Sequence, residues 1–272
     1  MKAASREPEM NSILSWIGGK RLLARRIVDV LPEHVCYCEP FSGAAWVFFA
    51  KPKSKVEVLN DKDGDLVNLL LCVREHPDEL LRQCEHLVAS RRIFELFLAQ
   101  PGLTDIQRAA RMLYVAKTTF GADLSKPTHG YSATQPPRWN RESIQRKIAE
   151  VSDRLDRVEL ENLDFADVLS RYDRPTTLFY LDPPYYETRG YRVPFELVDH
   201  VRLVESLRNL SGSWLLSYND HPRIREFYEG FGISEVGTLY TCSGRTRPAN
   251  ELLISNFPLD LEGSLDRPPN SH

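Results

Sequence analysis

The chain has 272 residues, with 35 Lys and Arg against 38 Asp and Glu and a formal net charge of −3. That balance creates no strong overall field, so an anionic partner has to be met by a local basic patch. With 42% hydrophobic and 27% charged residues the chain can form a full-sized core, and its 14 Gly and 18 Pro exclude collagen-like or wholly disordered architectures.

The amino-terminal MKAASREPEMNS has no apolar segment, and apolar runs such as 66–73 are shorter than the ~20 residues of a bilayer span. A cytoplasmic protein with no membrane partner is expected. Cys36, Cys38, Cys72, Cys84 and Cys242 are odd in number and lack CxxC spacing, so they read as reduced thiols instead of disulfides or a zinc ribbon. Short β-rich runs recur at 35–39, 56–60, 158–162, 177–182, 214–219 and 251–257, several of them followed by helical patterns. This alternation predicts an α/β fold with a mostly parallel sheet. Between the second and third runs, about 63–156, apolar positions recur at helical spacing, which predicts an inserted helical subdomain.

Within the insert, 118–141 is rich in Gly, Pro, Ser and Thr and reads as a loop or irregular hairpin. It sets Lys126, Arg138 and Arg141 against one acidic residue, Asp123, and interleaves them with Phe120, Tyr131 and Trp139. Cations that suit phosphate and rings that suit base stacking make Lys126, Tyr131, Arg138, Trp139 and Arg141 candidate contacts to a nucleic acid. On this segment alone a solvated surface loop is the favoured reading, and only the motifs below tip the balance. The tail from 258 is expected to be disordered.

Several motifs fail on inspection. Gly18-Gly19-Lys20 lacks the earlier Gly and the following Ser or Thr of a nucleoside-triphosphate loop. Asp61, Asp63 and Asp65 imitate a calcium loop, but Leu66 and Cys72 stand where it requires Gly and Glu. The seven histidines show no ligand spacing, so no metal is expected. Three junctions remain. Glu39-Pro40-Phe41-Ser42-Gly43-Ala44-Ala45 joins a strand to a helix through small residues that admit a ligand close to the backbone. Asp61 ends the next strand, where a carboxylate can accept from both hydroxyls of a ribose, although Asp61 or Asp63 could equally cap the following helix. Asp182-Pro183-Pro184-Tyr185 follows the apolar strand TLFYL as a rigid turn with two backbone donors removed.

Taken in order, WIGGK (16–20), EPFSGAA (39–45), LND (59–61), LDPPYY (181–186), SYND (217–220) and ELLISNF (251–257) resemble the D12-class, Dam-like family of DNA N6-adenine methyltransferases. The resemblance spans about 14–257. It implies a Rossmann-like methyltransferase domain formed by 11–62 and 157–257, interrupted by a target-recognition insert at 63–156. It also implies S-adenosylmethionine as methyl donor, held by Trp16, Lys20, Glu39, Pro40, Phe41, Asp61, Asp164, Phe165 and Asp182, with Lys20 pairing with the cofactor carboxylate. Double-stranded DNA is the implied partner. Asp182, Pro183, Pro184 and Tyr185 are the implied catalytic set, with Asp182 and the Pro183 carbonyl accepting the amine hydrogens and Tyr185 stacking on an extruded base. Asp at the head of that set favours adenine over cytosine. Ala44 and Ala45 stand where relatives usually carry glycine, which is expected to narrow the cofactor channel. The rival readings are an amino-methyltransferase for RNA or another base, and a nucleic-acid-binding relative without catalysis.

Overall fold

The structure, a computed structural model, describes residues 12–14, 20, 23–100, 102–188, 190–242 and 245–259, and for 238–249 the backbone alone. In chain order the elements are α1 (Ala24–Asp29), β1 (Cys36–Glu39), α2 (Trp46–Ala50), β2 (Val56–Asn60), α3 (Gly64–Glu75), α4 (Pro77–Glu85), α5 (Arg91–Ala99), α6 (Asp105–Thr118) and α7 (Arg141–Leu155). There follow β3 (Val158–Glu161), α8 (Phe165–Tyr172), β4 (Thr177–Leu181), α9 (Leu197–Arg208), β5 (Ser213–Asn219), α10 (Pro222–Phe227), β6 (Gly232–Cys242) and β7 (Arg245–Ser255). The strands form one sheet in the order β3-β2-β1-β4-β5-β7-β6. The first five are parallel, and β7 runs antiparallel between β5 and β6.

The predicted α/β class is therefore observed, with one addition. The eleven-residue β6 has no counterpart among the predicted strands. It pairs with β7 over its whole length at the sheet's outer edge. All five residues of β4 are buried, as expected for a central parallel strand that is apolar on both faces. Alternate side chains supply two cores: Leu178 and Tyr180 face the layer built from α1 to α7, while Phe179 and Leu181 face α8, α9 and α10.

The helices between β2 and β3 start where local chemistry dictates. Thr104 and Gln107 form a capping box on α6, Asn140 caps α7, and Pro77 opens α4. Their apolar faces join the same buried cluster as Tyr37, Leu59 and Leu178 of the sheet, so the core runs unbroken between these helices and the sheet. The end of α7 is pinned to β2 by buried ions. Arg154 of α7 grips Glu57 of β2 through both guanidinium nitrogens at 2.5 and 2.9 Å, and Lys51 binds the same carboxylate at 2.6 Å. Arg154 also donates to the Phe48 carbonyl and lies 3.6 Å over the Phe48 ring. Among the described residues no helix is long and apolar enough to cross a membrane. Trp16 and the tail beyond 259, both subjects of sequence expectations, lie outside the described residues.

Candidate active site at the carboxyl edge of the sheet

The connection leaving β1 turns towards β2, whereas β4 lies on its other side, so the sheet has its topological switch point between β1 and β4. Ligand crevices form at such points, beyond the strands' carboxyl ends. A cavity of ≈ 260 Å³ lies there, lined by Lys20, Glu39, Pro40, Phe41, Asp61, Asp164, Phe165, Asp182 and Pro184 among others. Positions drawn from five separate stretches of sequence thus meet in one space.

Glu39 is buried. Its Oε1 accepts from the Tyr37 hydroxyl at 2.6 Å and from the Phe48 amide at 2.8 Å. Burial pushes its carboxyl up to about 8. In the turn that follows, Gly43 and Ala45 have φ of 46° and 51°. Glycine adopts that geometry freely, while for Ala45 it costs on the order of 1 kcal/mol. Ala44 and Ala45 both line the cavity.

Asp61 accepts from the Gly43 amide at 2.8 Å and from the Asp63 amide at 2.9 Å, one on each oxygen. The helix cap belongs to Asp63, which accepts from the Asp65 amide. That resolves the ambiguity left by sequence and leaves the outer lone pairs of Asp61 for a ligand. Burial raises the Asp61 carboxyl to about 6 against the pull of those two amides.

Neighbouring Asn60 had no role in the sequence reading and turns out to hold three segments together. Its amide donates to the carbonyls of Pro40 and Leu163, and its Oδ1 accepts from the Leu163 amide. Asp164 caps α8 and accepts from Arg202 at 2.8 Å. Phe41, Phe165 and Phe195 form a mutual ring cluster with centroids 5.4 to 5.8 Å apart. Phe195 belongs to the β4–α9 connection, of which 191–195 line the cavity, and Arg192 fastens that connection to Asp63 and Asp65 at 2.8 and 2.6 Å. Neither contribution carries a sequence signal, because the connection contains no motif.

Asp182 accepts from Ser217 of β5 at 3.0 Å and lies 3.1 Å from the Lys20 ammonium, both contacts falling on Oδ1. Burial is the largest influence on its carboxyl and raises it to about 6; Lys20 opposes this, and Glu251 of β7 reinforces it. Lys20 is only 2% exposed and pairs with Glu251 at 3.0 Å as well as with Asp182, where the resemblance implied the cofactor carboxylate as its partner. It also sits 4.4 Å over the Tyr185 ring. Tyr185 itself is buried, its ring 5.8 Å from Tyr218, so a base stacking on the face that Lys20 covers has to displace that ammonium.

The candidate DNA contacts divide. Lys126, Arg138 and Arg141 are exposed, and Tyr131 is 83% exposed beside Arg91. A short antiparallel bridge between Thr119 and His129 shapes part of the segment into a hairpin. Trp139 departs from the expectation of a base or sugar contact. It is 8% exposed, its indole donates to the Leu87 carbonyl at 3.0 Å, and its ring packs 4.7 Å from Tyr114.

Comparison with known proteins accords with this geometry. The profile of the D12 class N6 adenine-specific DNA methyltransferase family matches residues 16–242. A type II methyltransferase, M.MjaIII, of Methanocaldococcus jannaschii is 24% identical, the alignment covering 92% of this chain and all of the other. The DNA adenine methylase of Salmonella typhi is 25% identical over 90% of this chain and 95% of its own. A DNA N-6-adenine-methyltransferase of Escherichia phage P1 is 25% identical over 87% of this chain and 34% of its own. Among solved structures, a precorrin-6y C5,15-methyltransferase of Geobacter metallireducens superposes at a TM-score of 0.36 with 9% identity, covering 86% of this chain and 84% of that one. With its motifs gathered at one sheet edge and its length matched by the family profile, this chain belongs to the D12 class of N6 adenine-specific DNA methyltransferases.

Proposed function

We propose that the protein transfers a methyl group from S-adenosylmethionine to N6 of an adenine turned out of double-stranded DNA, with 63–156 as the target-recognition insert. The observation that carries this reading is the meeting of Asp182, Asp61 and the ring cluster of Phe41, Phe165 and Phe195 in one cavity at the switch point. The donor set suits the cofactor: a carboxylate at a strand end for ribose hydroxyls, flat apolar walls for a purine, and acidic groups for a sulfonium. Asp61 would hold the ribose, the phenylalanines and Asp164 the adenine, and Glu39 with Pro40 the floor under the methionine portion. When bound, the cofactor supplies an electrophilic methyl group.

An adenine amine is a weak nucleophile because its lone pair is delocalised into the ring. Asp182 and the Pro183 carbonyl would each accept one amine hydrogen, which favours a more tetrahedral nitrogen and localises the lone pair. With Ser217 and Lys20 both on Oδ1, Oδ2 is the oxygen left for the amine. No covalent adduct with the chain is needed.

Incubation with cofactor and either DNA or RNA, followed by nucleoside mass spectrometry, tests the assignment. N6-methyladenine in DNA alone is the expected product. N4-methylcytosine, or methylated adenine in RNA only, would replace this reading by one of its rivals.

A further inference from the structure

Glu251 is distant in sequence from Lys20 and from Asp182, yet the inverted direction of β7 delivers it to the active edge of the sheet. Because β7 runs antiparallel to β5, Glu251 pairs in register with Asn219, the last residue of β5. There its carboxylate meets the Lys20 ammonium at 3.0 Å, and Lys20 in turn lies 3.1 Å from Asp182. Lys20 and Glu251 are almost wholly buried, so their charges act with little screening by water.

We propose that Glu251 is a positioning residue: by drawing the Lys20 ammonium between itself and Asp182, it loosens the Lys20–Asp182 ion pair and so makes the Asp182 carboxylate a stronger hydrogen-bond acceptor for the target amine at Oδ2. The inference rests on the methyl-transfer reading for the role of Asp182 and goes beyond it in assigning β7 a part in the chemistry. An ammonium facing Asp182 alone would form a closed ion pair, and an amine hydrogen would have to compete with it. Shared between two carboxylates and leaning on the Tyr185 ring, Lys20 leaves the trio with one net negative charge.

Among the described residues, the groups that face Asp182 are Lys20 ahead of α1, Glu39 of β1, Tyr180 of β4, Ser217 and Tyr218 of β5, Tyr191 of the β4–α9 connection and Glu251 of β7. Of these, Lys20 and the Ser217 hydroxyl favour its ionised form and Glu251 disfavours it. Substituting Glu251 by its neutral isostere therefore makes Asp182 more acidic, and removing the Lys20 charge makes it less so.

The test is a carbon-detected NMR titration of Asp182 in the ligand-free protein, its signal identified by its loss in Asp182→Asn, alongside the pH dependence of single-turnover DNA methylation. Glu251→Gln is expected to lower the titration midpoint of Asp182 by about 1 pH unit and to move the acid limb of methylation the same way. Lys20→Met is expected to raise the midpoint, and Glu251→Asp, which keeps the charge, to leave it close to the parent value. Should Glu251→Gln not fold, the double variant Lys20→Met/Glu251→Gln, which leaves no ammonium unpaired, decides: a midpoint below that of Lys20→Met supports the charge as the cause, and one equal to it overturns it. An unmoved Asp182 midpoint in folded Glu251→Gln also overturns the inference and makes Glu251 a structural anchor of β7. A parent protein that methylates no nucleic acid while its Asp182 titrates as described overturns the functional reading and leaves the charge relation intact.

Discussion

Asp182 closes a strand whose every residue is buried, and its carboxylate has one oxygen engaged by Ser217 and Lys20. On the proposed reading a substitution there acts on the amine and not on phosphate. Asp182→Ala should lower single-turnover methylation by far more than tenfold, beyond ~1.4 kcal/mol, with DNA affinity close to the parent in a binding titration. Retained turnover would remove Asp182 from the chemistry. Asn60 supports the site in another way, by tying the turns after β1 and β3 to the end of β2. Asn60→Ala strands three buried or partly buried backbone groups and should cost about 2 kcal/mol in urea denaturation, while weakening cofactor-product binding in calorimetry. Unchanged stability would show that other interactions hold those turns. Asp61 was legible from sequence because a strand-end carboxylate has a recognisable chemical use. Asn60 was not, since a buried amide at the last strand position looks like any strand residue until its partners, 20 and 103 residues away, are seen.

Elements show the same division. The apolar runs that became β1 to β5 and β7 stand out in the sequence, whereas β6 mixes Gly232, Ser234, Glu235 and Gly237 into a strand without an apolar run. Its pairing with β7 supplies what its composition does not. In the segment 118–141, Trp139 looked like a companion of the basic residues because nothing local reveals Tyr114 and Leu87 as its partners. The roles are separable by experiment. Replacing Lys126, Arg138 and Arg141 together by Ala should weaken binding to all DNA sequences and reduce the salt slope by about one counterion for each phosphate that is no longer neutralised. Trp139→Ala should instead lower stability by about 3 kcal/mol, with no change of slope in the fraction that remains folded. An unchanged slope in the triple variant would put the DNA-facing surface elsewhere.

For the molecule as a whole, the acidic edge of the sheet makes stability depend on pH. Burial raises the Glu39 carboxyl from 4.5 in an open chain to about 8, so between those limits the folded state holds a proton that the unfolded state has released. This contribution is complete below 4.5 and disappears as pH rises through about 8. Asp61 and Asp182, both raised to about 6, act in the same direction at lower pH. The buried His200 opposes them, because its imidazole is pushed down to about 4 and the unfolded chain gains a proton there below 6.5. The ligand-free protein should therefore be more stable at about pH 6.5 than at about pH 8.5, by about 1–2 kcal/mol in denaturant titrations. A flat or inverted dependence across that window would mean that Glu39 stays ionised in the fold. The global architecture was the most legible property of all, since the order of the motifs along the chain matches the order in which strands deliver them to one edge. The recognised DNA sequence is not legible at this scale, because base readout depends on side chains whose positions relative to a duplex no spacing encodes.

The buried grip of Arg154 on Glu57 bears on modularity. If 63–156 is the recognition insert proposed above, exchanging it between relatives to redirect which sites are modified looks like a transplant between two surface cuts. Here the graft carries away one of the two cations that hold a carboxylate belonging to the recipient. A donor helix without arginine at that position leaves Glu57 with Lys51 as its remaining cation and takes the donor from the Phe48 carbonyl, a loss of charge-assisted hydrogen bonds of roughly 1.5–3 kcal/mol against a small domain margin. Successful chimeras will be those whose distal junction falls ahead of Arg154, so that the recipient keeps its own last turn of α7.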